Sequence, residues 1–422
     1  MTAIPTVPPA PLAELDFWQA RPELEAIRGY ALSHRASPWA TLGVTLARVV
    51  AATPPSIVLP DIIGDVASLN LFVAICGPSG AGKGSAEGVG RRVLDLGDIS
   101  SFAEHTPGSG QGLSHAYGHF DKRAGGVIRH ASAAYLSLPE ADHFVGLFGQ
   151  TGSTLQPELR RAFMGEALGH LYVDPTKRIE IRAHTYRLSL VVGVQPARAA
   201  VLLDDADGGS PQRFLWLPAT FEHPDMRPAE PAPINWRLPR FPAGARYVMG
   251  LARSAAETID AAHLARARGG GDALDGHLLL TQEKVAAALA LLCGEIDVHE
   301  WSWQLAEAVM DVSNETRQMI VDTLAAGAAR TEEARTKRRV STELAVEEAT
   351  AARAFAAAQR QVVNHVLKDA CGGCKRRCIS RAIAGKYRIG LSIDEVLADS
   401  VARDYLSVNM TDETYSAGKR TP

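Results

Sequence analysis

Apolar residues fall in two patterns along the first half of the chain. Residues 69–76 (LNLFVAIC) are an apolar run of strand length, and residues 133–138 (AAYLSL), 187–194 (RLSLVVGV) and 213–217 (RFLWL) repeat it. A strand that is apolar on both faces has to be covered on both, as in the middle of a parallel α/β sheet. Between these runs the period changes to that of a helix. Residues 15–52 place Trp18, Leu24, Ile27, Tyr30 and Leu32 roughly on one face, and Pro54 and Pro55 stop the pattern. Helices are also predicted over residues 83–94 and 156–171. Strands and helices in alternation predict an open α/β sheet.

The second half changes character. Residues 218–242 are rich in proline without a clean period and predict a long surface crossing. From about residue 244 the chain is alanine-rich, with helices predicted over 282–293, 298–311 and 313–325. Residues 330–369 predict one long helix whose alternating charges, as in RTEEARTKRR, mark a solvated face. The C-terminal residues then predict helices over 359–368, 375–384 and 391–403, with a turn at CGGC and a final strand at YLSVNM, which is the winged-helix order. The boundaries that follow are 1–60 for an arm and helical lead-in, 61–243 for the α/β core, 244–355 for a helical region and long helix, and 356–422 for a winged-helix-like basic unit.

Bulk composition narrows the setting. A chain of 422 residues is longer than one core of about 250–300 residues supports, so more than one structural unit is expected. The net charge of −3 excludes a global basic field, so any contact with nucleic acid has to come from a local patch. Cys371, Cys374 and Cys378 cluster together, while Cys76 and Cys293 lie in apolar runs; this is not a disulfide scaffold, and a reducing cytoplasm is the expected setting. The N-terminal residues lack the basic and apolar regions of a signal peptide. The apolar stretch 39–52 is interrupted by Arg48 and is shorter than the roughly 20 residues of a membrane span, so no membrane partner is expected.

The most specific chemistry follows the first strand. Gly77, Pro78, Ser79, Gly80, Ala81, Gly82, Lys83, Gly84 and Ser85 match the G-x4-G-K pattern of a P-loop, set between a predicted strand and a predicted helix. Such a loop turns successive backbone N–H groups into one concavity that holds phosphates. The lysine then neutralises the β- and γ-phosphates, and the helix N-terminus adds its dipole. ATP with Mg²⁺ is the expected ligand. Gly84 stands where a magnesium-ligating hydroxyl usually follows the lysine, and Ser85 comes one position later. The second half of the site needs an acid at a strand end. Glu140 follows the strand 133–138 and is the favoured residue, with Asp142 as an alternative or a second metal-shell carboxylate. Gln195, at the end of the strand 187–194, is placed to sense the γ-phosphate or the lytic water. Arg213 opens an apolar strand after a turn and is the candidate arginine finger, of the kind often supplied by a neighbouring subunit. Gln111 in the GSGQG turn is a further residue that could face the γ-phosphate.

The C-terminal unit offers two sites. Lys375, Arg376, Arg377 and Arg381, with Lys386 and Arg388, make a basic patch suited to DNA phosphates. A winged helix used for protein contact is the alternative. His365, Cys371, Cys374 and Cys378 have spacings compatible with a Zn²⁺ site, against which stands a packing role for Cys374 and Cys378.

The order of motifs resembles the primase-helicase-type P-loop ATPases of phages, plasmids and integrative elements, many of which carry a domain of unknown function. The resemblance rests on FWQARPEL, GPSGAGKGS, GSGQGL, LPEADHF, LSLVVGVQP, SPQRFLW and LLCGEIDVHEWSWQLAEAVMDVSNETR, and spans about residues 16 to 320. It implies a RecA-like core, ATP-driven helicase-like work on single-stranded or forked DNA, a homo-oligomer such as a hexameric ring, and a separate primase or polymerase as partner. It carries Lys83 over as the phosphate lysine, Glu140 as the strand-end acid and Arg213 as the finger. Gly84 and Gln111 depart from the pattern. Two other readings stay open: an ATP-switch helicase loader or replication initiator, and a small-molecule kinase, which the GKGS form suggests.

Overall fold

The computed structural model describes residues 14–97, 102–139, 146–147, 154–170, 172–174, 176, 178–203, 209–242, 244, 246–270, 275–368, 372–383, 385 and 390–422. The chain divides into two compact units, Met1–Gly327 and Ala328–Pro422.

The first unit is built on a five-stranded, all-parallel sheet. Its strands are β1 (Leu71–Cys76), β2 (Ala103–His105), β3 (Ala133–Leu138), β4 (Arg187–Val194) and β5 (Phe214–Pro218), in the spatial order β5-β1-β4-β3-β2. β1, β3 and β4 are buried along their whole length, as their unbroken apolar runs require. Alternate residues of β1 serve the two faces. Leu71, Val73 and Ile75 join one core cluster, and Phe72, Ala74 and Cys76 join the other.

The helices of this unit are α1 (Glu14–Gln19), α2 (Pro22–Ser33), α3 (Pro38–Ala52), α4 (Lys83–Arg92), α5 (Leu155–Met164), α6 (Arg253–Ala267) and α7 (Asp275–Leu292). A further helix, α8 (Glu300–Leu367), begins here and continues into the second unit. α3 has proline in its first turn and is capped by Ser37, whose Oγ accepts from the Ala40 N–H. Its PWATLGVTLARVVAA sequence carries one charge, and almost every residue is buried. The N-terminal helices are therefore no separate lead-in. Phe17, Trp18, Leu24 and Trp39 share one core with Leu71, Val73, Leu215 and the α7 residues Val285 and Leu289, because a parallel sheet needs both faces covered. The predicted regions 1–60 and 61–243 lie within a single unit.

Two helix boundaries differ from the sequence pattern. α5 ends at Met164 rather than near residue 171, because Gly165 takes a left-handed conformation (φ 85°) and closes the helix. The helices predicted at 298–311, 313–325 and 330–369 are continuous as α8, since no proline interrupts them.

In the second unit, the end of α8 packs with β6 (Cys374–Lys375), α9 (Arg376–Ala382), α10 (Ile393–Ala402), β7 (Leu406–Asn409) and β8 (Thr414–Ala417). The three strands form an antiparallel sheet in the order β6-β8-β7. Its core contains Val362, Val366, Ile379, Val396, Leu397 and Leu406. Among the described residues, no helix is long and apolar enough to cross a membrane.

Candidate active site

All five strands of the main sheet run the same way, so the segments that follow them leave from one edge. The loop 77–82 joins β1 to α4 at this edge. Gly80 (φ 79°) and Gly82 (φ 83°) hold left-handed conformations that a side chain would strain. Gly77 is needed for a different reason: a Cβ there would come within 2.8 Å of the Ala81 Cβ. Lys83 opens α4 and folds back over the loop, its Nζ donating to the carbonyls of Gly77 and Pro78, both at 2.8 Å. Partial burial holds the Lys83 ammonium below its usual range. The amine thus lies over a turn of glycines at a helix N-terminus, the arrangement that receives phosphate.

The adjoining strands bring their ends to the same place. The Gly77 N–H donates to the Val194 carbonyl at 3.0 Å, which sets Gln195 beside the start of the loop. The Ala219 N–H donates to the Cys76 carbonyl at 2.7 Å, and Thr220 follows, its Cγ2 3.9 Å from where a Gly77 Cβ would stand. Between β1 and β3 lies β4. At its end, Gly193 leaves room for Pro139, whose carbonyl a Cβ on Gly193 would meet at 2.4 Å. The chain entering Glu140 therefore passes across the end of β4. Glu140 and Asp142 themselves lie outside the described residues. Ser85 sits in the first turn of α4, exposed, its Cβ 4.0 Å from where one on Gly82 would stand, so its hydroxyl is available beside the loop.

Two features of this edge had no sequence signal. Glu87, one turn along α4 from Lys83, is 7% exposed and accepts from the Ser137 hydroxyl of β3 at 2.6 Å and from Arg91 at 3.1 Å. Arg91 also pairs with Glu104 of β2 at 2.8 Å. This chain of contacts fixes the P-loop helix against the strand that leads to Glu140. The second feature is a cavity of about 850 Å³ that begins at Thr220 and is lined by Arg28, Trp39, Phe221, His223 and Asp225.

Arg213 is not part of this edge. It precedes β5, whose first residue Phe214 pairs with Phe72, whereas the P-loop follows Cys76, which pairs with Pro218. Arg213 therefore lies at the opposite end of the strands and does not reach its own chain's phosphate site. It is 8% exposed, and its guanidinium lies 2.9 Å from His277 Nε2 on α7. An arginine finger offered to a neighbour has to be exposed, so this conformation corrects the sequence reading: Arg213 is a buried residue that packs α7 on the sheet edge. Gln111 is exposed in a turn fixed by Gly110, which lies so close to Thr154 that a Cβ would come within 2.3 Å of its carbonyl oxygen.

In the second unit, Cys374 is buried in the core and Cys378 is exposed, so the two do not share an environment. Cys371 lies outside the described residues, and no cluster of three potential metal-ligating residues, His365 included, occurs among those described. Lys375, Arg376, Arg377 and Arg381 are all exposed. Arg376 is held by Asp394 through two hydrogen bonds of 2.6 and 2.7 Å. Lys386 and Arg388 lie outside the described residues.

No protein-family model matches the chain, and no curated protein matches it.

Proposed function

We propose that the chain is an ATPase that binds the triphosphate at Gly77–Ser85 and hydrolyses it, with a RecA-like core as its frame. The observation that carries this reading is the loop itself: two left-handed glycines, an N-terminal helix turn and Lys83 folded over them. The strand order supports hydrolysis by water. One strand, β4, separates β1 from β3, so the P-loop and the acid-bearing segment start two strand spacings apart, about 9.5 Å. That gap leaves room for a water molecule between the γ-phosphate and the chain that follows β3, with Gln195 at the end of β4 to orient it. Ser85, with Glu140 and Asp142 as the sequence offers them, would hold magnesium, which would neutralise phosphate charge. The cavity beside Thr220 has the volume for the nucleoside, with Trp39 and Phe221 on its wall.

The use of this turnover follows the resemblance: helicase-like work on DNA in the replication of a mobile element, by a homo-oligomer. The second unit, with its helix, strand, two helices and two strands, supports a winged-helix reading and DNA contact through Lys375, Arg377 and Arg381. One observation favours the alternative of an ATP-controlled loader. In a helix-turn-helix the second helix enters the major groove. Here that helix is α10, and its first turn exposes Glu395, which repels phosphates and suits a basic protein partner, beside Asp394, whose charge Arg376 answers.

The first test is ATP turnover by the wild-type chain and by Lys83→Ala, with binding followed by tryptophan fluorescence. The substitution removes the charge at the β- and γ-phosphates and should abolish turnover. Undiminished hydrolysis by Lys83→Ala would remove the site assignment.

A further inference from the structure

A second cavity, of 380 Å³, lies in the first unit around the opposite end of the sheet from the P-loop. Residues 60–67 form one wall. Met164 and His184 form another, and α6 and α7 close it with Ile259, Arg266, Leu280 and Glu283. The size falls in the range of small-molecule sites, and most of the lining is apolar.

Its polar groups are unusual. Buried polar atoms are almost always hydrogen-bonded. Among the described residues, Glu283 Oε1, His184 Nδ1 and Arg266 Nη1 are buried and have no hydrogen-bond partner, and all three residues line this cavity. Glu283 is 5% exposed. Burial pushes its carboxyl up to about 8, so at neutral pH it carries a proton to donate. Around His277 the field is positive. Burial lowers His277 to about 4, with Arg213, Lys284 and Arg266 adding to the effect. Burial lowers His184 as well, opposed by Asp65 and aided by the smaller effects of Arg246, Arg187 and Lys284. Asp65 and Glu166 are exposed, at the rim.

We propose that this cavity binds a small carboxylate with an apolar body, its carboxylate accepting from Arg266 and Glu283 and its body lying on Ile62, Met164, Ile259 and Leu280. An anion answers the positive field, and two donors converging on apolar walls select a carboxylate over a bare phosphate. The site is separate from the P-loop and does not depend on nucleotide.

The test uses the full chain, with benzoate, 3-phenylpropionate and hexanoate as probes and benzyl alcohol and inorganic phosphate as controls. Thermal unfolding and titration calorimetry provide the readouts. At least one carboxylate should raise the unfolding midpoint saturably, and the controls should not. Arg266→Gln, which keeps much of a partly buried side chain and removes its charge, should weaken that carboxylate roughly tenfold or more, the loss expected for a charge-assisted hydrogen bond. Ile259→Trp, which fills the apolar end, should abolish it. A cooperative thermal unfolding transition and a wild-type circular dichroism spectrum report that each variant is folded. No saturable shift with any carboxylate, equal binding of benzyl alcohol or phosphate, or full affinity in folded Arg266→Gln would each overturn the proposal.

Discussion

At the residue scale, Glu283 and Lys284 show how burial changes what a charged side chain does. Lys284 is fully buried, lies 3.3 Å from the centre of the Phe163 ring, and donates to the carbonyls of Asn70 (3.0 Å) and Phe163. It joins α7 to the start of β1 and the end of α5. Glu283 Oε1 has no such partner among the described residues, and the raised pKa of this carboxyl has a sign that can be worked out. Unfolded, it titrates near 4.5; folded, near 8. Its contribution to stability is complete below pH 4.5 and is lost as pH rises to about 8. His277 acts in the other direction, with stability lost as pH falls from 6.5 through about 4. The two slopes offset each other between pH 4.5 and 6.5, leaving the fall from Glu283 between about 6.5 and 8, which the burial-lowered Lys284 ammonium opposes. His184, His263, Arg266, Asp65 and Glu166 line the same cavity, and with buried Lys284 they set the field in which both groups titrate. Glu283→Gln removes the ionisation, so chemical denaturation at pH 8 should find this variant more stable than wild type by roughly a few kcal/mol. A variant that keeps the wild-type fall between pH 6.5 and 8 would refute the assignment to Glu283.

At the element scale, α3 packs directly on the sheet. A Cβ on Gly43 would come within 2.4 Å of Leu217 Cδ1 and 2.8 Å of Val73 Cγ1, so α3 lies directly against β1 and β5. Gly43→Val adds three carbons where there is no space. It should lower the unfolding free energy by roughly 1–3 kcal/mol, measured by urea denaturation, and lower ATP affinity through the displaced β1. A stability equal to wild type would show that α3 can retreat without cost. The same packing explains what was legible in the sequence. β1, β3 and β4 were readable because both faces are covered and their apolar runs are unbroken. β2, three residues reading Ala-Glu-His at the sheet edge, carries no such pattern and was invisible. Lys83 and its loop were legible because spacing alone encodes them. Arg213 was legible as the residue that opens a strand, but its burial against His277 was not, because spacing does not say what packs beside it. Glu283 was missed because TQEKVAAALALL reads as a helix with a solvated beginning.

At the scale of the whole molecule, the two units offer two chemistries, and one measurement relates them. If the first unit uses ATP to act on DNA, turnover by the full chain should rise when single-stranded or forked DNA is added. The charges for that contact are Lys375, Arg377 and Arg381, all exposed, while Arg376 is engaged with Asp394. Each phosphate contact releases condensed counterions, so the salt dependence of binding counts them. Replacing Arg377 and Arg381 together by glutamine should weaken binding at all sequences alike and reduce the salt slope by roughly 1 to 2. It should leave DNA-independent hydrolysis unchanged, because Lys83, Gln195 and the strand ends are untouched. Arg376→Gln should do less to the slope, since its charge is already answered by Asp394. If DNA leaves turnover unaltered and the double variant keeps the wild-type slope, the basic face of α9 is not a DNA contact. The acidic first turn of α10 then becomes the surface to probe, with a basic protein as partner and ATP controlling assembly rather than movement.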